Sequence, residues 1–191
     1  MQVLSKAARV MVATIMVVSV LGNGADASVS KQSAVFKDVS AGLFNTCAID
    51  DSDHLYCWGD NAYGQLGNGT PTASTIPVPV GMPLTFDYIA KVATAGYTTC
   101  AVTTAGALYC WGANSYGNIG NDTTETQWSP VFIDGGALAG KFVVDVAVDQ
   151  FNTCALTDDG MVACWGYGDL GTNGVGLGRH LAGHHRERYP G

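Results

Sequence analysis

The sequence predicts an all-β repeat protein of the solenoid or propeller type, and three observations carry this prediction. First, a segment that ends in Thr-Cys occurs three times, beginning at Val39, Val92 and Val146, and each time Cys-Trp-Gly follows ten residues after the first cysteine. Second, these copies lie 53 and 54 residues apart, a period typical of such architectures. Third, no stretch from residue 28 onward shows a long apolar period of 3.6 residues, which argues against helices.

The residues between the two cysteines of each copy predict a β-hairpin. A polar or glycine-containing centre, such as residues 50–53 or 104–106, lies between flanks that favour strands. Glycine-rich loops follow Trp-Gly, and Pro-Val at positions 77–78 and 130–131 ends the first two units. Each copy is therefore predicted to be one multi-stranded antiparallel unit.

The combined pattern resembles a known repeat. It reads Ala-Gly-x-x-x-Thr-Cys-Ala-Val, then Cys-Trp-Gly-x-Asn-x-Tyr-Gly-x-Leu-Gly-Asn-Gly-Thr, then Pro-Val, and it is similar to the regulator of chromosome condensation repeat over residues 39–178. The closest similarity is to the cysteine-paired version in exported bacterial proteins. The resemblance implies blades of a β-propeller. The founding eukaryotic member exchanges guanine nucleotide on the GTPase Ran and binds chromatin, but its function-carrying loops have no recognisable counterpart here.

The repeats divide the chain into repeat 1 at 39–91, repeat 2 at 92–145 and a truncated repeat 3 at 146–178, after an N-terminal lead-in at 28–38. A closed propeller needs roughly 4–8 blades. The sequence therefore predicts β-propeller blades in an incomplete arc. Such an arc exposes strand edges and blade faces, and self-association through them is expected.

Residues 1–27 are typical of an export signal. Lys6 and Arg9 precede a twelve-residue apolar run, and small residues at 25 and 27 offer a cleavage position. The run is shorter than the roughly 20 residues of a membrane-spanning helix, so no stable membrane insertion is predicted; a buried N-terminal helix is the alternative. The predicted location is secreted or cell-surface.

Residues 179–191 form an aberrant basic tail with three arginines and three histidines. The residues from Gly178 onward can be back-translated with codons that, read one nucleotide out of frame, encode a threonine-rich segment ending in Pro-Val. A continuing repeat should have such a segment. The tail is therefore interpreted as frameshifted and the chain as a fragment. The alternatives are a plain basic extension and a metal site of His180, His184 and His185.

The six cysteines are predicted to form three disulfides. A hairpin places the two cysteines of one repeat opposite each other, with Cα atoms about 4.5–5.5 Å apart, and a disulfide fits that distance. The predicted pairs are Cys47–Cys57, Cys100–Cys110 and Cys154–Cys164. Reduced core cysteines are the alternative, whereas a zinc site is disfavoured because no Cys-x-x-Cys occurs and no histidine recurs with the cysteines.

Charge and motifs exclude several functions. The chain has 9 basic and 16 acidic residues, a net charge of −7, which argues against a nucleic-acid partner. No phosphate-loop or calcium-loop motif occurs, so no cofactor or metal is predicted. His54 stands alone in its turn and no nucleophile–base pair recurs, so an enzyme is not predicted. The recurring Trp58, Trp111 and Trp165 are assigned to blade packing.

The function predicted is an exported, non-catalytic recognition module that binds a protein or a glycan through its loops. The repeats diverge most at residues 70–75, 81–88, 123–128 and 134–140, although unconstrained loops drift as well. The candidate partner contacts are Tyr63, Tyr88, Tyr116 and Trp128. Alternative functions are a secreted enzyme inhibitor, because one exported β-lactamase inhibitor protein is similar in fold, a remote guanine-nucleotide exchange factor, an enzyme and a non-functional gene fragment.

Overall fold

The computed structural model describes residues 13–14, 33–82 and 88–168. Its regular structure is β-strand throughout, apart from one 3₁₀ helix at Gly136–Leu138, so the predicted all-β fold class is confirmed. A short strand β1 (Ala13–Thr14) pairs with β2 (Ser33–Ala34). The rest of the predicted export signal and the whole basic tail lie outside the described residues.

Eleven further strands form three antiparallel sheets, here called blades, in which spatial order equals chain order. Blade 1 consists of β3 (Phe36–Ala41), β4 (Asn45–Asp50), β5 (Leu55–Gly59) and β6 (Ser74–Pro79). Blade 2 consists of β7 (Ile89–Ala95), β8 (Thr98–Thr103), β9 (Leu108–Gly112) and β10 (Gln127–Ile133). Blade 3 consists, within the described residues, of β11 (Val143–Val148), β12 (Asn152–Thr157) and β13 (Val162–Gly166).

The cysteines lie in the central hairpin of each blade. Each first cysteine is the direct cross-strand partner of the cysteine ten residues later. The Cα atoms of the three pairs are 4.1, 4.1 and 4.0 Å apart, just below the roughly 4.5 Å of close strand neighbours, and the sulfur atoms lie at bonding distance. The cysteines that face each other across each hairpin are thus the same ones that the ten-residue spacing predicts as partners.

The hydrophobic core is split into two clusters, one between each pair of successive blades. Each cluster includes two aliphatic side chains from the central hairpin of the leading blade, and a valine and a tryptophan from the following blade. These are Ile49, Leu55, Val92 and Trp111 in the first cluster, and Val102, Leu108, Val146 and Trp165 in the second. Since apolar burial drives folding, the blades stabilise one another rather than folding as separate cores.

One tryptophan fixes blade 2 to blade 1, and an equivalent tryptophan fixes blade 3 to blade 2. Trp111 and Trp165 are 0% and 1% exposed. Their indole N–H groups donate to the backbone carbonyls of Gln65 and Asn118 in the preceding blade, both at 3.0 Å. The predicted packing role of these two tryptophans is therefore confirmed.

Gly120 is the close partner of Trp165, and we expect Gly120→Ala to reduce stability by about 2–5 kcal/mol. A Cβ at Gly120 would lie 2.5 Å from the indole nitrogen, at a φ of +86°, so overpacking of roughly 1–3 kcal/mol adds to the penalty of the left-handed backbone, about 1–2 kcal/mol. Gly160→Ala is the matched control, because its φ is +83° and no heavy atom lies within 4 Å. Denaturant unfolding of both variants measures the difference. Equal losses would contradict the packing role of Gly120.

Candidate functional site

The two ends of the blades carry different connections. The turns β3–β4, β7–β8 and β11–β12 lie at one end, together with the loops that follow β5, β9 and β13, since Gly59 pairs with Asn45 and Gly112 with Thr98. We call this the loop end. The tight turns β4–β5, β8–β9 and β12–β13 lie at the opposite end, called the hairpin end. A partner that contacts several blades meets one of these two surfaces.

Six aromatic side chains lie at the loop end in two groups of three, and each group spans one boundary between blades. Tyr63 of blade 1 and Tyr97 of blade 2 have ring centroids 4.7 Å apart, and Tyr116 of blade 2 lies 4.9 Å from Phe151 of blade 3. Phe44 contacts Tyr97 with ring centroids 6.1 Å apart. We call this set the aromatic row: Phe44, Tyr63, Tyr97, Tyr116, Phe151 and Tyr167.

The aromatic row is half-exposed. Phe44 is 58% exposed, and Tyr63 and Tyr116 are 46% and 48% exposed. Tyr167 contacts Tyr116 at 5.3 Å and extends the row over blade 3. The rings are supported by one another on one side and present apolar surface to solvent on the other, as the anchor residues of binding surfaces do.

Buried asparagines fix the loops that carry the tyrosines of blades 1 and 2. Asn61 is fully buried; its amide donates to the carbonyls of Thr70 at 2.6 Å and Thr72 at 3.1 Å, and its oxygen accepts from the N–H of Leu66 at 2.9 Å. Asn114 makes the equivalent set in blade 2. Because these polar groups are buried and satisfied, the loops hold one conformation and their tyrosines are presented on a fixed base.

A groove of about 260 Å³ runs between the inner turns of the three blades. It is lined by the turn residues that directly precede Phe44, Tyr97 and Phe151 in the chain, among them Leu43, Gly96, Asp149 and Gln150. Asp149 and Gln150 are exposed. The groove therefore contains an exposed aspartate, and its three turns each lead directly into an aromatic residue of the row.

The charges divide between the two ends. Asp60, Asp122, Glu125 and Asp149 lie at the loop end, and none of the described turns and loops there contains a lysine or an arginine. At the hairpin end, Lys37 pairs with Asp53 and Lys141 pairs with Asp159. The hydrogen bond from Lys141 lowers the pKa of Asp159 to about 2. The loop end is thus acidic, whereas the hairpin end carries both signs.

Three of the four predicted contacts lie at the loop end. Tyr63 and Tyr116 belong to the aromatic row. Trp128 is 38% exposed, and its carbonyl accepts from the N–H of Gly69 at 2.9 Å, which holds it against the loop of blade 1. Tyr88 lies apart from them at the hairpin end, where its carbonyl accepts from Thr104 in the β8–β9 turn.

The sequence interpretation missed Phe44, Tyr97, Phe151 and Tyr167. A signal for the first three was available, because each stands three residues before the first cysteine of its repeat. Tyr167 corresponds to Tyr63 once the third repeat is shortened by three residues after Trp-Gly. Phe44 is exposed, and Tyr97 and Phe151 are partly exposed, so the repetition of an aromatic residue on this turn points to a surface role as much as to packing.

Metal ligands and membrane spans are both lacking among the described residues. These residues contain no group of three or more histidine, cysteine or acidic side chains placed to hold a metal ion. In the same ranges, no helix has the length and apolar character needed to cross a membrane. His54 lies 3.4 Å from Asp50 at the hairpin end, away from the groove.

The repeats match two models of the regulator of chromosome condensation (RCC1) repeat, one over residues 36–65, 89–118 and 143–172, the other over 52–102 and 105–156. The chain is 34% identical to human E3 ubiquitin-protein ligase HERC2 over 71% of this chain and 3% of the ligase. It is 32% identical to the ultraviolet-B receptor UVR8 of Arabidopsis thaliana over 82% of this chain and 36% of the receptor. The chain thus spans a small part of the ligase and little more than a third of the receptor.

Solved structures give the same fold. Human WBSCR16 is similar with a TM-score of 0.65 and 27% identity, over 70% of this chain and 33% of that one. Yeast RCC1 (Prp20), solved with Kap60 bound, is similar with a TM-score of 0.62 and 17% identity, over 76% of this chain and 37% of that one. The predicted propeller blades in an incomplete arc are confirmed, since three blades match about a third of each structure. The chain belongs to the regulator of chromosome condensation (RCC1) repeat family.

Proposed function

We propose that this chain is an exported, non-catalytic recognition module whose loop end binds a protein partner. The observation that carries the proposal is the aromatic row, two groups of three contacting rings, one at each boundary between successive blades. Binding surfaces concentrate their energy in such aromatic anchors. Relatives support a protein partner: yeast RCC1 has been solved with Kap60, and its binding to Gsp1p and histones has been studied.

The charges at the loop end select the chemistry of the partner. Carboxylates such as Asp149 attract a basic segment, and aromatic faces bind guanidinium groups by cation–π interaction. The same carboxylates repel phosphate, which disfavours nucleic acid. A neutral glycan that stacks on the rings is compatible with this surface, but leaves the carboxylates unused. The best-supported partner is therefore a protein with an exposed arginine- or lysine-rich segment.

An extracytoplasmic location fits the cysteines. The described cysteines form three pairs with their sulfur atoms at bonding distance, and disulfides persist in oxidising compartments. Together with the predicted signal at residues 1–27, this supports export. Secretion of a fusion that carries residues 1–27 ahead of a reporter enzyme, with no secretion when residues 10–21 are deleted, tests this part of the proposal.

We expect Tyr63→Ala and Tyr116→Ala each to weaken partner binding about tenfold or more, because each removes a half-exposed ring of the row. Trp128→Ala should act in the same direction. The measurement is binding to an array of cell-surface proteins, arginine-rich peptides and neutral glycans, followed by titration of the strongest ligand. Tyr88→Ala is the matched control, since Tyr88 is 54% exposed at the hairpin end, and it should leave affinity unchanged.

Two charge variants test the role of the acidic loop end in the same experiment. Asp149→Asn and Asp158→Asn each remove one exposed carboxylate, the first at the groove and the second at the hairpin end. Only Asp149→Asn should weaken binding of an arginine-rich peptide. Equal losses for Tyr63→Ala and Tyr88→Ala, or a preference for DNA over all other ligands, would overturn the proposed surface.

Inhibition of a secreted enzyme is a second candidate function. The observation that favours it is again the aromatic row, because a fixed set of aromatic loop residues on one propeller face suits insertion into an enzyme cleft. Assays against secreted hydrolases, β-lactamases among them, test this candidate. Inhibition that Tyr116→Ala abolishes and Tyr88→Ala preserves would assign it.

A further inference from the structure

Within the described residues, the interface between successive blades occurs twice, and blades 1 and 3 each carry the apolar part of half of a third one. On the side of blade 1 that faces away from blade 2, Val39 is 63% exposed, whereas its equivalents Val92 and Val146 are 9% and 8% exposed. Thr46 and Trp58 are also only partly buried. We call this set, Val39, Thr46 and Trp58, the head face.

Blade 3 carries the other half. Leu156 is 37% exposed, while its equivalents Ile49 and Val102 are 0% and 1% exposed. Val162 is 51% exposed, although its equivalents Leu55 and Leu108 are 4% and 1% exposed. We call Leu156 and Val162 the tail face.

Hydrogen bonding shows the same incompleteness at the head face. In blade 2, the hydroxyl of Thr99 and the indole of Trp111 donate to the same carbonyl, that of Gln65 in blade 1. Thr153 and Trp165 of blade 3 do this to the carbonyl of Asn118. Within the part of the chain that the structure describes, the equivalent Thr46 and Trp58 have no such carbonyl to bind.

We propose that the head face of one copy docks on the tail face of a second copy and reproduces the apolar contacts of the internal blade interface. The two faces are complementary. Twice within the described residues, a valine and a tryptophan of one blade share a hydrophobic cluster with two aliphatic side chains of the preceding blade. The head face carries the equivalent valine and tryptophan, and the tail face carries the equivalent aliphatic side chains. Covering Leu156 and Val162 with Val39 and Trp58 removes apolar surface from water, which drives association. The contact joins two different surfaces and is therefore heterologous.

The number of blades sets the assembly. Two copies of the three described blades, joined by two head-to-tail contacts, contain six blades, within the range of roughly 4–8 blades that close as a ring. The expected assembly is a dimer with its loop ends on the same face, so that two aromatic rows are presented together. This inference uses blade faces rather than the loop end, and it stands or fails separately from the proposed function.

The test is the mass of the purified chain in solution, by sedimentation and light scattering. The wild type is expected as a dimer. Val39→Asp blocks the head face and Leu156→Asp blocks the tail face, so each variant alone should have half the wild-type mass. Both positions are exposed in the single chain, and circular dichroism checks that the variants stay folded. Tyr88→Asp, at an equally exposed site outside both faces, should remain a dimer.

Mixing the two variants gives the decisive measurement. The Leu156→Asp variant keeps an intact head face and the Val39→Asp variant keeps an intact tail face, so an equimolar mixture should recover a dimer through one contact. Variants that had merely unfolded could not rescue each other. A wild-type chain that is monomeric at all concentrations, face variants that stay dimeric, or a mixture that stays monomeric would each overturn the proposal.

Discussion

Trp111→Ala should lower the free energy of unfolding by about 3–5 kcal/mol, the usual loss when a buried tryptophan is truncated. Trp111 is 0% exposed and lies in the cluster between blades 1 and 2. Its loss leaves a cavity against Gly67, which packs so closely that a Cβ added there would lie 2.6 Å from the indole nitrogen. The carbonyl of Gln65 keeps the hydroxyl of Thr99 as a donor at 3.0 Å, so the loss is one of packing rather than of hydrogen bonding.

Trp58→Ala is the matched control. Trp58 is the same residue at the same place in its repeat, but it is only partly buried on the head face and touches Phe36 with ring centroids 6.3 Å apart. At concentrations where the chain is monomeric, its truncation should reduce stability by about 1 kcal/mol. Denaturant unfolding followed by circular dichroism measures both variants. Equal losses would mean that the blade boundary contributes nothing beyond local packing.

The contrast between these tryptophans explains why the fold could be predicted from the sequence. In blades 2 and 3, Cys-Trp-Gly meets the same surroundings, a hairpin across the sheet and a glycine-rich loop of the preceding blade, whereas Trp58 of blade 1 has the hairpin but no such loop among the described residues. Cys47 and Cys57 lie opposite each other through local hairpin geometry alone. Local pairing and strict repetition therefore carried the prediction of strands and of partner cysteines.

The position of Tyr88 shows a limit of the same reasoning. Residues 81–88 and 123–128 both look like variable loops, yet Trp128 lies at the loop end and Tyr88 at the hairpin end. The direction in which each strand runs decides this: after four antiparallel strands the chain enters the next blade from the hairpin end. Sequence divergence between repeats does not show at which end of a blade a loop lies. The prediction based on it therefore grouped residues from opposite surfaces.

The aromatic row shows the second limit. Tyr63 and Tyr97 come from different blades, and their contact at 4.7 Å depends on how one blade lies against the next. No pattern within a single repeat encodes that distance. The recurrence of Phe44, Tyr97 and Phe151 before each first cysteine predicts three aromatic turns, but only the packed blades place the tyrosines of the preceding repeat beside them.

Removal of the central cysteine pair is expected to have the second large effect. Cys100→Ala combined with Cys110→Ala should lower the free energy of unfolding by about 3–4 kcal/mol. A disulfide over so short a segment contributes about 3 kcal/mol by restricting the unfolded chain. Both cysteines are also fully buried in the cluster between blades 2 and 3, so the lost sulfur atoms leave cavities that add to this.

The third pair provides an internal control, because Cys154 and Cys164 are separated by the same ten residues but are only partly buried. Replacing both by alanine should remove the restriction of the unfolded chain but little packing. The free energy of unfolding should therefore fall by about 1 kcal/mol less than it does for the central pair. Denaturant unfolding with and without reductant completes the test: if disulfides stabilise the fold, reductant should lower the midpoint of the wild type and barely affect a variant that lacks all six cysteines. Since reduced core cysteines contribute packing alone, a wild type insensitive to reductant would show that the thiols are not paired, even though hairpin geometry brings them together.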